Sequence, residues 1–383
     1  MMDLRGGGMK RLQLGACLGG LIMEPDLDLL AGLRQRVLAS DCLSWGMDPL
    51  QALVAPDQLP SWEGQALLGF FAEEEQWRQA CSRGRLVVNL VDDQPMRRRT
   101  AMVGQDDELV GRMAAEHLAE LRPERFLYFG YEGRRGMAAR RRGFRAAVAE
   151  FGAECSELIV PLEERNGDLQ DRLHTWLHEA RRDRLGIFAC SDRLAARVLS
   201  YCSRAGMAVP ERVQVLGCGN LSPICELSDL PISSIILNWR RVGEESADAL
   251  IRLHRGEAPP PLRLPPLGVE VRTSTDPASH SDAGIQAALR CIRKRLAEPL
   301  RVEDVCVATG IGRRSLERRF AEHLGRGIRE EIERLRFLRA GELLRGSDWP
   351  LERIARGCGL SGAQALQTLF RRRGAPPPGL SRS

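Results

Sequence analysis

The residues whose types and spacing most clearly suggest chemistry lie in the last hundred positions of the 383-residue chain. Val302, Val305, Gly310 and Ile311 recur at a constant offset of 49 as Leu351, Ile354, Gly359 and Leu360, so VEDVCVATGIG aligns with LERIARGCGLS. Each unit reads as a short apolar helix, a glycine turn and a second helix, RRSLERRF or GAQALQTLF, with Leu and Phe on one face. This is helix-turn-helix spacing, present twice, and such a helix fits the major groove of DNA with its first turns facing base edges. In the first unit Arg313, Arg314, Glu317 and Arg318 form the solvent face. Arg314 or Arg318 can pair with guanine, and Glu317 can accept from a cytosine amino group. The second unit presents Gly362, Ala363, Gln364, Gln367 and Thr368, with Arg371, Arg372 and Arg373 placed to hold phosphates. A merely solvated charged face is the alternative for either unit alone; the duplication argues against it.

Charge follows the same division. The net charge of +5 conceals +9 over residues 281–383, where 21 Lys or Arg face 12 Asp or Glu, and −4 over residues 1–280. A basic terminal segment is the electrostatic footprint of a nucleic-acid reader. Almost all of the positive charge is arginine, Lys10 and Lys294 being the only lysines. A composition of 43% hydrophobic and 28% charged residues supports ordinary cores and excludes a disordered, collagenous or wholly coiled-coil chain.

Enzyme and metal readings find little support. The 11 cysteines are odd in number and scattered, with no C-x-x-C pair, so neither a disulfide framework nor a zinc site is expected and a reducing cytoplasm is the simplest compartment. His174 and His178 are spaced by four but lack the Glu of H-E-x-x-H, and Gly130, Gly133 and Gly136 do not make G-x-G-x-x-G. No catalytic constellation, cofactor or metal is expected. No apolar run reaches membrane-spanning length, and the run Leu12 to Cys17 after Lys10-Arg11 is too short for a lipoprotein signal, so it reads as a first buried strand.

The elements that must position these residues follow a βα rhythm. Strands are expected at 12–18, 84–91, 125–131, 157–162, 184–191 and 213–220. Helices are expected at 27–38, 108–121, 139–152, 169–181, 192–206 and 241–256. Alternation of this kind predicts parallel sheets, and the number of units predicts two lobes. The proline-rich EAPPPLRLPPLG (257–268) cannot be helical, and the polar stretch after it marks a boundary. The expected division is a disordered tail at 1–10, an α/β region at 11–275, a linker at 276–282 and an all-α region at 283–383. Its two helix-turn-helix motifs fall at about 302–324 and 351–373, joined by the helix 329–345.

The C-terminal region resembles the AraC family of transcription regulators: Gly310, Ile311, Leu316, Arg318 and Phe320 match G-I-x-x-x-x-L-x-R-x-F, and Ile354, Ala355, Gly359, Leu360 and Ser361 match I-A-x-x-x-G-L-S. The preceding region is similar to the LacI-type, periplasmic-binding-protein-like sensor through residues 117–131, Arg140 to Phe144, CSDRLA (190–195) and 208–220. The combination is that of AraC-family regulators of the xylose-operon type. The resemblance implies a cytoplasmic homodimer that binds double-stranded DNA, responds to a small sugar (a pentose such as xylose first) and activates carbohydrate-use genes with RNA polymerase. It also implies effector contacts at Met23, Glu24, Asp106, Arg140, Asp192, Gly219 and Asn220. Each has a plain structural reading beside it: Arg140 as a surface arginine, Asp192 as a helix cap. Two departures stand out. Gly219 occupies the place of a sugar-binding Asp, and Thr368 stands where relatives carry Arg. Alternatives are a ligand-independent regulator with a degenerate sensor, a transport-type sugar-binding protein, or an alkyl-transfer protein, which would need clustered cysteines.

Overall fold

The computed structural model describes residues 11–18, 24–45, 52–161, 166–181, 183–228, 230–276, 283–324, 326–346, 349–373 and 377–379. The chain divides into two compact units, one formed by residues 1–108, 133–139 and 238–265, the other by 109–132, 140–237 and 266–383.

The first unit contains a six-stranded sheet in the order β11-β5-β4-β3-β1-β2, every pairing parallel. Its strands are β1 (Leu12–Cys17), β2 (Leu43–Ser44), β3 (Ala66–Gly69), β4 (Leu86–Asn89), β5 (Thr100–Gln105) and β11 (Leu262–Leu264). Strands covered on both faces are apolar throughout, and β3, β4 and β5 are buried along their whole length. One face packs Leu14, Leu68 and Val88 against Leu29 and Leu33 of α1 (Glu24–Leu38) and Val242 and Leu250 of α8 (Trp239–His254). The opposite face packs Leu67 and Val87 against Phe71 and against Trp77 of α2 (Glu74–Ala80). α1 and α8 cross in backbone contact, because a Cβ on Gly32 would stand 1.9 Å from the Arg240 carbonyl oxygen.

The second unit holds the other six-stranded sheet, β12-β10-β9-β8-β6-β7, parallel except for β12 against β10. Its strands are β6 (Arg125–Tyr131), β7 (Cys155–Val160), β8 (Leu185–Ala189), β9 (Val213–Cys218), β10 (Ser233–Ile236) and β12 (Gly268–Glu270). Helices α3 (Asp107–Ala119), α4 (Arg135–Glu150), α5 (Asn166–Glu179), α6 (Asp192–Arg204) and α7 (Ser222–Cys225) follow or connect these strands. Tyr128, Phe144 and Phe188 form an aromatic core, and burial pushes the Tyr128 hydroxyl's pKa far up.

The proline-rich stretch, expected only to be non-helical, supplies β11 between its prolines. The polar stretch after it supplies most of β12 and a single 3-10 turn at Thr273–Thr275. Both strands sit at sheet edges, where proline neighbours are tolerated.

Six helices complete the second unit: α9 (Ala283–Lys294), α10 (Val302–Thr309), α11 (Arg313–Leu324), α12 (Ile328–Gly346), α13 (Leu351–Gly357) and α14 (Ala363–Arg372). They enclose two small cores. Leu316 and Phe320 anchor the first, Leu366 and Phe370 the second, and α12 supplies Ile328, Ile332 and Leu335 to one and Ala340 and Leu344 to the other. The duplicated glycines adopt the left-handed backbone that the turn requires, Gly310 at φ 66° and Gly359 at φ 67°. Among the described residues no helix is long and apolar enough to cross a membrane.

Candidate nucleic-acid interface and effector residues

The two glycine turns deliver α11 and α14 in equivalent positions. The second turn is one residue longer, so the helices themselves correspond at an offset of 50: Leu316 with Leu366, Phe320 with Phe370, both pairs buried. Arg314 and Arg318 therefore correspond to Gln364 and Thr368, and Glu317 to Gln367.

On α11, Arg313, Arg314 and Arg318 are exposed. Arg313 reaches back to Glu303 of α10 at 2.6 Å. Arg318 is paired only loosely with Glu322, at 3.4 Å and with 68% of its side chain exposed, a contact too weak to hold the guanidinium away from a base edge. Glu317 behaves differently from expectation. Its Oε2 accepts the Ile328 amide at 3.2 Å, so it closes the N-terminus of α12, whose free amides demand an acceptor, in place of the expected base-reading role.

On α14, Gly362 is the N-cap with an extended backbone, and the Ala363 amide donates to Glu352 Oε2 at 2.9 Å. Gln364 and Gln367 are exposed, while the Thr368 hydroxyl is turned onto the Gln364 carbonyl oxygen at 2.9 Å. Arg371 and Arg372 are exposed beyond them; Arg372 lies 3.5 Å from Glu333, and Arg373 donates to the Glu330 carbonyl oxygen. Sequence reasoning overlooked Glu303 and Glu352. The signal was present, since they are themselves related by 49 residues and both reach the start of the following helix. Between the motifs a cleft of about 510 Å³ is lined by Leu300, Arg301, Arg336, Arg356 and Leu360.

The expected effector residues fall at strand ends. Met23 lies outside the described residues, as does the Glu24 side chain, Glu24 being the first residue of α1. Asp106 follows β5, and its amide donates to the Leu264 carbonyl oxygen at 2.7 Å. Arg140, in α4, is not a surface residue: it is 9% exposed and its Nη1 donates to the Cys190 carbonyl oxygen at 2.8 Å, at the end of β8.

Asp192 departs from both readings given to it. The cap of α6 is Ser191, which accepts the Leu194 amide. Asp192 is fully buried, with one oxygen accepting the Leu221 amide at 2.8 Å and the other the Ser234 hydroxyl at 2.5 Å. Burial raises its pKa despite the opposing pull of those hydrogen bonds. A carboxylate committed in this way anchors the turn that carries Gly219 and Asn220, and is not presented to a ligand. Asn220, at φ 53°, accepts from Arg272 Nη1 through its Oδ1 at 2.8 Å, which leaves its amide nitrogen as the outward donor. Gly219 lies at φ 121°, and a Cβ there would stand 3.2 Å from Asp192 Oδ2. Among the described residues no group of three or more His, Cys, Asp or Glu is placed to hold a metal ion. His174 Nδ1 is hydrogen-bonded to the Tyr201 hydroxyl at 2.6 Å.

Comparison with known proteins agrees with this division. Residues 115–275 match the periplasmic binding protein-like domain family, and residues 305–382 match a helix-turn-helix domain family. The xylose operon regulatory protein of Escherichia coli (strain K12) is 28% identical over 330 residues, covering 82% of this chain and 83% of that protein. Its namesake in Haemophilus influenzae is 26% identical over 288 residues, covering 70% and 71%. The solved structure of the xylose-binding transcription activator xylR matches over 98% of both chains, with a TM-score of 0.58 at 24% identity. The chain is an AraC-type transcription regulator whose DNA-reading helices follow a periplasmic-binding-protein-like domain.

Proposed function

We propose that this regulator binds duplex DNA through residues 283–383 and a small sugar through residues 11–275, with 276–282 between them, and that it works in the cytoplasm as a homodimer that engages RNA polymerase at carbohydrate-use genes. The observation that carries the reading is the pair of equivalent helices, α11 and α14, presenting Arg314 with Arg318 and Gln364 with Gln367 from motifs joined by one helix. Xylose is the first candidate effector because the proteins named above are xylose regulators. Selection of bound duplexes from a random-sequence pool by the full chain, with and without D-xylose, tests it. The expected product is a site with two half-sites roughly one helical turn apart, bound more tightly with the sugar. Failure to enrich any sequence would overturn the DNA-reading assignment.

A second reading, a regulator that needs no sugar, is favoured by Gly219 and Asp192. A glycine holds the place of a sugar-binding carboxylate, and the nearest carboxylate is fully committed. A calorimetric titration of the full chain with a panel of pentoses and hexoses decides between them: heat of binding supports the first, and none from any sugar supports the second.

A further inference from the structure

Outside the DNA-reading and effector residues, one cluster of charges ties the helical region to the α/β part of the same compact unit. Glu120 directly follows α3, and its amide donates to the Glu116 carbonyl oxygen, so the helical path continues through it. Its carboxylate pairs with Nη1 of Arg334, midway along α12. The same guanidinium grips Glu331 with two bonds of 2.9 Å, from Nε and Nη2. Arg326 completes the group, its Nε 3.1 Å from Glu331 Oε2. The side chains of Glu331 and Arg334 are 1% and 10% exposed. One turn before Glu120, His117 Nε2 meets the Thr275 hydroxyl at 2.8 Å, where the α/β part ends. The two contacts are three residues apart on α3, and therefore on one face of it.

Two cations and two anions largely removed from water add little net stability compared with well-packed apolar residues. What the arrangement supplies is direction. A guanidinium is a rigid planar fork, and with Nε and Nη2 fixed on Glu331 its Nη1 can satisfy an acceptor from one side only. Glu120 is that acceptor, so its position fixes the angle at which α12 meets α3. α12 in turn forms part of both small cores and carries both reading helices with it. At its other end α3 starts directly after Asp106, an expected effector residue, and 13 helical residues span about 20 Å as one rigid element.

We propose that Glu120 and Arg334 are positioning residues through which α3 sets the pose of α12, and with it of both DNA-reading helices, making this pair the route from sensor to reader. The inference rests on the effector-responsive reading only for what moves α3; the link itself needs no effector.

Hydrogen–deuterium exchange on the full chain, without DNA or sugar, tests the link. Glu120→Gln should speed exchange across residues 328–340 roughly tenfold, and Arg334→Gln should do the same across 113–121, with the melting temperature held within about two degrees. Each effect appears in the part of the chain that was not substituted, which a merely local role would not produce. The double variant should exchange no faster than the faster single variant in either segment, because both changes break one link. Unchanged exchange at 328–340 in Glu120→Gln, or effects of the two substitutions that simply add, would overturn the proposal. A second arm adds D-xylose: the sugar should alter exchange at 328–340 in the wild-type chain and not in Glu120→Gln. A wild-type chain that ignores xylose while the effector-free coupling holds counts against xylose as effector and leaves the pair standing.

Discussion

At the scale of single residues, Asp192 decides what its neighbours can do. Its pKa is raised by burial, so the folded chain keeps this proton over a pH range in which the unfolded chain has lost it. The folded state therefore binds more protons there, and stability from this group is present below the ordinary carboxylate value and lost as pH rises through the raised one. Asp192→Asn removes the titration while an amide can still accept from Leu221 and donate to Ser234. Relative to that variant, the wild-type chain should lose stability with rising pH across this window, at no more than about 1.4 kcal/mol per pH unit, as read from melting temperatures between about pH 4 and 8. A constant gap between the two would show that the carboxylate is not strained. The same residue explains why restoring an acidic side chain at the neighbouring glycine is a poor repair. Gly219→Asp must adopt φ near 121°, at a cost of roughly 1–3 kcal/mol, and brings a second carboxylate beside the buried first. We expect a lower melting temperature and no gain in heat on titration with pentoses.

At the scale of elements, the duplicated motif puts two glycines with one backbone conformation into different surroundings. Nothing stands within 4 Å of a Cβ on Gly310, whereas one on Gly359 would meet the carbonyl oxygens of Leu296 and Glu298 at 2.4 Å. Gly310→Ala should therefore cost only left-handed strain, about 1–2 kcal/mol, and Gly359→Ala considerably more, because the second motif must also move off the 296–298 segment. Equal losses of thermal stability would refute that packing. The repeat made these turns legible in the sequence, since chance rarely reproduces an apolar pattern and its glycine at one fixed offset. Long buried strands such as β6 and β9 were legible for a related reason: parallel strands covered on both faces read as unbroken apolar runs. β3 and β5 escaped because ALLG is only four residues long and TAMVGQ mixes small and polar residues. β10 opens with Ser233 and Ser234, whose burial is made tolerable by hydrogen bonds to Arg272, Ser274 and Asp192 that no local pattern announces. An acid at a helix start looks the same whether it caps, binds a ligand or turns inward, so the role of Asp192 had to come from its partners.

At the scale of the molecule, the separation of charge assigns different work to arginines that look alike in the sequence. Arg318 stands in the first two turns of α11, where a helix in the major groove meets base edges, while Arg371 stands in the last turn of α14, beyond Gln364 and Gln367. A base contact carries discrimination, and a phosphate contact carries affinity without it. Arg318→Ala should accordingly flatten the preference at one or two base positions, each worth about 1–3 kcal/mol, with a larger effect than Gln364→Ala, because a bidentate charged pair outweighs a neutral one. Arg371→Gln should weaken binding to all sequences alike and reduce the slope of log affinity against log salt by about one. Binding of the full chain to a systematically substituted operator, at several salt concentrations, separates the two outcomes. The penalties should be steep in the half-site read by α11 and shallow in the half read by α14, where backbone contacts and DNA deformability remain to discriminate. Equal penalties in the two halves, or a change of base preference caused by Arg371→Gln, would reverse the assignment and place the specific contacts on α14.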